Sequence, residues 1–138
     1  MAKPRYTVLV LDDEVSMREY VRSVLEKNGH RVFEAKDGNE GMTIAKANPP
    51  DLVITDIVMP DKEGLETIRD IKTLYPACCV IAMSGMVYAE TYLSMAQSFG
   101  AQVVLHKPFT RSELEAAVQS VMEPMKSKQK RSGGTQFE

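Results

Sequence analysis

Five polar or charged residues have side chains suited to cation and phosphate chemistry, and each lies at the end of an apolar run. Asp12 and Asp13 follow YTVLVL, Asp56 closes LVITD, Ser84 follows CCVIAM, and Lys107 follows QVVLH. Carboxylates bind cations, a lysine pairs with phosphoryl oxygens, and a hydroxyl donates a hydrogen bond to them. Together these residue types favour a phosphoryl site that works by positioning and charge neutralisation.

The three aspartates point to a divalent cation. Asp12, Asp13 and Asp56 would repel one another in one crevice, and a cation relieves that repulsion. All the candidate ligand atoms are oxygens, with no convergent histidine or cysteine, which favours a hard ion. An open site with few protein ligands suits Mg²⁺, which retains water and binds phosphate oxygens. With the charge screened, a carboxylate can attack phosphorus, and Asp56 is the central candidate.

The elements that position these residues alternate regularly along the chain. Short runs rich in Val, Ile and Leu predict strands covered on both faces at 6–11, 31–35, 52–56, 78–83 and 102–106. Apolar residues at three- and four-residue spacing predict helices between and after them, at 15–27, 39–47, 63–74, 87–99 and 112–122. This order implies a doubly wound α/β fold, with parallel strands and helices on both faces. The carboxyl ends of such strands are where open α/β sheets bind ligands.

Glycine and proline signals mark where the predicted helices stop. The first stops at Asn28-Gly29 and the fourth at Gly100, while Pro49, Pro76 and Pro124 follow the others. With 138 residues, the chain suits a single domain. Residues 124–138 are polar and locally basic, so we expect a flexible tail or the start of a linker.

Composition narrows the class of protein without naming a partner. The chain has 43% hydrophobic and 26% charged residues and a formal net charge of -2, so nothing predicts attraction to nucleic acid or anionic membranes. Cys78 and Cys79 are adjacent, and a disulfide between them would be strained, so we expect reduced core thiols. No apolar run is long enough to span a membrane, and no signal-peptide pattern precedes the first strand. We therefore expect a cytoplasmic protein.

Four motifs in order resemble the receiver domain of two-component response regulators. They are DDE at 12–14, D-x-x-M-P at 56–60, Ser84 followed by Gly85, and K-P-F at 107–109. The resemblance covers about 6–122 and implies a receiver domain at 1–123. It also implies the flavodoxin-like strand order 2-1-3-4-5, which makes the first and third strands neighbours and brings the three aspartates together.

The resemblance implies a role for each site residue. Asp56 would accept a phosphoryl group from a sensor histidine kinase, a phosphotransfer protein or a small phosphodonor. Ser84 would be the switch hydroxyl that moves toward the phosphoryl group, and Lys107 would pair with it. Beyond this self-modification we expect no enzyme activity.

The family's Mg²⁺ site carries over in the same way. Asp13, Asp56 and the backbone carbonyl of Val58 would bind Mg²⁺ directly, with Asp12 acting through water. Phosphorylation would shift populations on the face formed by the fourth helix, fifth strand and fifth helix. The implied partner is a downstream protein or an attached effector domain, with no direct binding of nucleic acid or membrane.

Some positions depart from the family's commonest pattern. Val104 stands where a switch aromatic is usual, and Glu63 replaces a frequent aspartate. Val58 and Met86 are apolar at positions that influence phosphoryl lifetime, so neither can orient an attacking water. We also expect Tyr88 and Tyr92 to face a partner, and we assign no function to His30 or His106.

Other interpretations remain open at this point. Each site residue alone fits an ordinary helix start or turn, and only their joint placement favours a site. A haloacid-dehalogenase-like metal-dependent phosphohydrolase also combines Asp, Ser or Thr, and Lys, but it needs a D-x-D nucleophile motif on the first strand. A flavodoxin-like cofactor binder would need a phosphate-cradling loop after the first strand, where this chain has Asp-Asp-Glu.

Overall fold

The computed structural model describes residues 5–57, 64–85 and 89–130 of the chain. Within those ranges, strands and helices alternate throughout. The elements are β1 (Thr7–Leu11), α1 (Val15–Lys27), β2 (Arg31–Ala35), α2 (Gly38–Ala47), β3 (Leu52–Asp56), α3 (Gly64–Leu74), β4 (Cys79–Ser84), α4 (Ala89–Phe99), β5 (Val103–His106) and α5 (Arg111–Lys130).

The five strands form one parallel sheet in the order β2-β1-β3-β4-β5. In the register, Leu9 of β1 lies between Phe33 of β2 and Val53 of β3. The predicted doubly wound α/β class and the strand order are therefore confirmed. Because β1 and β3 are neighbours, the residues at their carboxyl ends lie side by side at one edge of the sheet.

Alternate residues of the strands enter two separate core clusters. Val8, Val10 and Ile54 pack with α1 and α5 on one face of the sheet. Leu9 and Val53 pack with α2, α3 and α4 on the other. Both faces of the central strands are buried, which explains why their sequences are continuously apolar.

The C-terminal ends of the helices agree with the sequence prediction except at α5. Asp37 caps α2 by accepting a hydrogen bond from the Glu40 backbone N–H at 2.9 Å, so that helix begins slightly earlier than predicted. The predicted end of the last helix at residue 122 is wrong, because α5 runs through Pro124 to Lys130. A proline removes one backbone donor and costs about 3 kcal/mol, whereas the lysines and glutamine that follow are good helix formers.

Neither cysteine forms a disulfide, and both are buried, as expected. Burial raises the pKa of Cys78 to about 12, so this thiol stays protonated at neutral pH. Among the described residues, no helix combines the length and the apolar character needed to cross a membrane.

Candidate functional site

The site is built at the carboxyl edge of the sheet. Asp56 is the last residue of β3, where it pairs in register with Met83 of β4. Asp12 follows β1, and its backbone N–H donates to the carbonyl of Ala35 at 3.2 Å, which extends the β1–β2 pairing by one step. The ends of two neighbouring strands therefore fix both carboxylates.

Asp12, Asp13 and Asp56 come together as the sequence predicted. One carboxylate oxygen from each lies within 4.8 Å of the others. Asp12 is fully buried, Asp56 is partly buried and Asp13 is exposed, so the cluster extends from the core to the protein surface. A set of three carboxylates with an exposed side fits a hard divalent cation that keeps part of its water.

Lys107 lies between two of these carboxylates. Its Nζ donates to Asp12 Oδ2 at 2.7 Å and to Asp56 Oδ2 at 3.1 Å. Burial alone would lower the pKa of Lys107, but the hydrogen bond to Asp12 and the charges of both carboxylates hold the pKa above its ordinary value. The ammonium group is therefore charged at neutral pH and neutralises part of the acidic cluster.

Ser84 is the last residue of β4; it is buried and lies next to the Lys107 backbone. The Lys107 N–H donates to the Ser84 carbonyl at 2.7 Å, and Ser84 pairs in register with His106. These contacts place Ser84 and Lys107 on adjacent strand ends, one residue beyond the Asp56–Met83 pair. The Lys107–Pro108 peptide bond is cis.

The loop after β1 has a contact that the sequence did not suggest. Arg18, in the first turns of α1, donates from Nη1 to the backbone carbonyl of Asp12 at 2.8 Å. Its Nε also donates to Glu34 Oε1 on β2 at 3.1 Å. In the sequence, a basic residue on an amphipathic helix looks the same as an ordinary solvent-exposed residue. Only the short distance in sequence between Arg18 and the DDE motif could have indicated a contact with the site.

Gly64, at the start of α3, packs directly against the backbone of the Asp56 turn. Its N–H donates to the Ile57 carbonyl at 2.8 Å. A Cβ at this position would overlap the carbonyl oxygen of Asp56 and lie 2.7 Å from that of Ile57. Glycine is therefore required for this close approach of the start of α3 to the end of β3.

Several predicted positions lie outside the described residues. These are Val58 with its carbonyl ligand, Glu63, Met86 and Tyr88, and the side chain of Tyr92. Val104 is described: it is half-buried and packs against the core cluster on the α2, α3 and α4 face. His30 stacks on Tyr6 with ring centroids 5.3 Å apart, and its Nδ1 accepts a hydrogen bond from the Tyr6 N–H.

Comparison with known proteins identifies the family. The family model of the response regulator receiver domain matches residues 8–119. The KDP operon transcriptional regulatory protein KdpE of Escherichia coli is 38% identical over 79% of this chain. The chemotaxis protein CheY of Halobacterium salinarum is 34% identical over 83% of it. The chain belongs to the response regulator receiver domain family, and so to two-component signalling.

Solved structures agree with this assignment. NtrX from Brucella abortus, in complex with ADP, superposes with a TM-score of 0.86 over 98% of this chain at 29% identity. The chain spans 48% of the length of KdpE and 31% of that NtrX chain, but 95% of the CheY protein. Nothing in these likenesses favours a haloacid-dehalogenase-like phosphohydrolase.

Proposed function

We propose that this chain is a phosphorylation-activated switch that accepts a phosphoryl group on Asp56. The observation that carries the proposal is the bridge from Lys107 Nζ to the carboxylates of Asp12 and Asp56, at 2.7 and 3.1 Å. An ammonium group shared by two carboxylates at this edge of the sheet can change its partner to a phosphoryl group that forms there. The donor would be the phosphohistidine of a sensor kinase or phosphotransfer protein, or a small phosphodonor.

Transfer requires one bond to break and one to form. An Asp56 carboxylate oxygen attacks phosphorus, the phosphorus–nitrogen bond of the phosphohistidine breaks, and the imidazole nitrogen takes the electron pair and then a proton from solvent. Lys107 moves from Asp56 Oδ2 to an oxygen of the new phosphoryl group, and the Ser84 hydroxyl donates to another. Hydrolysis of the acyl phosphate returns the switch to its starting state, and these two reactions are the only catalysis we assign to the chain.

Mg²⁺ fits the donor set of this site. Asp13 and Asp56 would hold it directly together with the Val58 carbonyl, and Asp12 would hold it through water. The ion would supply charge neutralisation for the phosphoryl oxygens. Lys107 also offsets part of the charge of Asp12 and Asp56, with which it forms ion pairs at 2.7 and 3.1 Å.

The output of the switch would be a changed protein-binding surface on α4, β5 and α5. Its target would be a downstream protein or an attached effector domain, and we assign no nucleic acid or membrane binding to this chain. We further propose a receiver unit at 1–123 followed by a basic tail or linker start at 124–138, whose first part continues α5 to Lys130, acting in the cytoplasm. The match of the family model to residues 8–119 supports this division.

The test is incubation with acetyl phosphate and Mg²⁺, followed by intact mass measurement. We expect an adduct of about +80 Da, the mass of one phosphoryl group, in the wild type and none in Asp56→Asn. Asp70→Asn is the matched control, because it removes a carboxylate from α3 away from the cluster and should leave the adduct unchanged. Turnover of an unrelated phosphate ester without an adduct would support the hydrolase instead.

A further inference from the structure

The guanidinium of Arg18 holds two acceptors at once. Nη1 donates to the Asp12 carbonyl at 2.8 Å, and Nε donates to Glu34 Oε1 at 3.1 Å. The side chains of Arg18 and Glu34 are only 15% and 21% exposed, so both bonds are partly shielded from water. A planar guanidinium can make both bonds in one geometry, which the single ammonium group of a lysine cannot reproduce.

The carbonyl held by Arg18 belongs to the peptide that joins Asp12 to Asp13. The rest of this turn is also tied, because Asp12 Oδ1 accepts a hydrogen bond from the Glu14 N–H at 2.9 Å. The orientation of the Asp12–Asp13 peptide plane sets the direction in which the Asp13 side chain extends from the backbone. Asp13 is the exposed member of the carboxylate cluster, so a rotation of this peptide would move its oxygen relative to the other two.

Glu34 is a fixed anchor for this contact. It lies on β2, in register with Val10 of β1, and it also accepts from Arg22 Nη1 at 3.0 Å. Burial alone would raise the pKa of Glu34, but the hydrogen bonds from Arg22 and Arg18 outweigh it and hold the pKa below the ordinary value. Glu34 is therefore ionised at neutral pH and keeps the Arg18 guanidinium in place.

We propose that Arg18 is a positioning residue that sets the Asp13 carboxylate for cation binding, through the Asp12–Asp13 peptide and with Glu34 as its anchor. Arg18 touches the backbone of the site and not the phosphoryl group. The inference rests on the proposed function, since it concerns the same cation. It adds Arg18 of α1 and Glu34 of β2 to the residues that determine cation binding, beyond those of the DDE motif.

The test compares Arg18→Met with Arg22→Met. Both variants remove a guanidinium that pairs with Glu34, but only Arg18 bonds to the Asp12 carbonyl. Mg²⁺ is titrated without any phosphodonor, and binding is followed by the NMR shifts of the backbone amides of Asp13 and Glu14. We expect the Mg²⁺ affinity of Arg18→Met to fall roughly tenfold, as when a partner that orients a metal ligand is lost, and that of Arg22→Met to stay near the wild type.

A second measurement separates positioning from a general loss of structure. The rate of phosphorylation by acetyl phosphate is measured against Mg²⁺ concentration. Arg18→Met should need more Mg²⁺ but approach the wild-type rate at saturation, whereas a merely unstable variant would lose rate at every concentration. Arg18→Lys keeps the charge without the two-acceptor geometry and should recover only part of the affinity.

The outcomes distinguish this inference from the proposed function. If the wild type binds Mg²⁺ but Asp56 is not phosphorylated, the proposed function fails while the comparison of Mg²⁺ affinities still decides the role of Arg18. Equal affinity in Arg18→Met and the wild type, an equal loss in Arg22→Met, or no Mg²⁺ binding by the wild type would each overturn the inference.

Discussion

Lys107 and Asp12 are 95 residues apart in the chain, yet the Lys107 ammonium lies 2.7 Å from a carboxylate that is fully buried. The contact joins the loop after β5 to the loop after β1, across the ends of β3 and β4. A buried carboxylate is costly unless it is paired, so this lysine stabilises the fold as well as the site.

Replacement of Lys107 by methionine should destabilise the protein in a way that Mg²⁺ partly reverses. Loss of the cation leaves Asp12 buried without this partner, which costs about 3 kcal/mol. A cation that binds only the folded state adds stability, and its effect should be larger once the competing ammonium is gone. The measurement is urea unfolding with and without Mg²⁺. Lys46→Met on the exposed side of α2 serves as the control, and an unchanged midpoint in Lys107→Met would contradict the prediction.

Substitution of Gly64 by alanine should damage the site more than the rest of the fold. The new Cβ would overlap the Asp56 backbone, which cannot yield as a flexible side chain does, so we expect a loss of about 2–3 kcal/mol and a displaced Asp56. The measurements are urea unfolding and the yield of the phosphoryl adduct.

Gly29→Ala is the matched control for Gly64. Gly29 has a φ of 92° but open space around it, so alanine there costs backbone strain of about 1 kcal/mol without a clash. Its adduct yield should equal that of the wild type. Equal yields in both variants would show that the approach of Gly64 to Asp56 has no functional importance.

Acid should weaken the protein partly through Glu34. Its pKa is below the ordinary value of 4.5, so the folded state favours the carboxylate more strongly than the unfolded state does. This stability is fully present above pH 4.5 and is lost as pH falls through the folded pKa. The free energy of unfolding of Glu34→Gln should therefore decline less steeply below pH 4.5 than that of the wild type. Equal slopes for Glu34→Gln and the wild type below pH 4.5 would contradict this assignment.

Alkali should weaken the protein partly through Cys78. The folded pKa is about 12 against an ordinary value of 9.0, so above pH 9 the unfolded state releases the proton more readily. The stability contributed by the protonated thiol is lost as pH rises, at up to about 1.4 kcal/mol per pH unit. Cys78→Ala carries a constant packing cost but should show a flatter profile from pH 8 to 10.5 in urea unfolding. Parallel profiles for the two proteins would contradict the assignment.

The positions of the site residues at the strand ends could be predicted from the sequence, whereas contacts that depend on strand register could not. Asp56 and Lys107 could be predicted because each follows an apolar run whose end is visible. The contact from Arg18 to Glu34 could not, because it requires the pairing of β1 with β2 and the rotation of α1. The predicted end of α5 is wrong because the single proline at position 124 does not outweigh the good helix formers around it. The roles of Asp56, Ser84 and Lys107 stay predictions, as do those of Val58 and Tyr88.

β5 has four residues and is bonded to the sheet along one side only, through β4. Displacing β5 therefore breaks fewer sheet hydrogen bonds than displacing a central strand. The Lys107 side chain connects the end of β5 to Asp12 and Asp56 at the ends of β1 and β3. Under the proposed function, phosphorylation of Asp56 would move the Lys107 ammonium from Asp56 Oδ2 to the phosphoryl group. The change would then reach β5, an edge strand that carries Val104 and pairs with β4 alone.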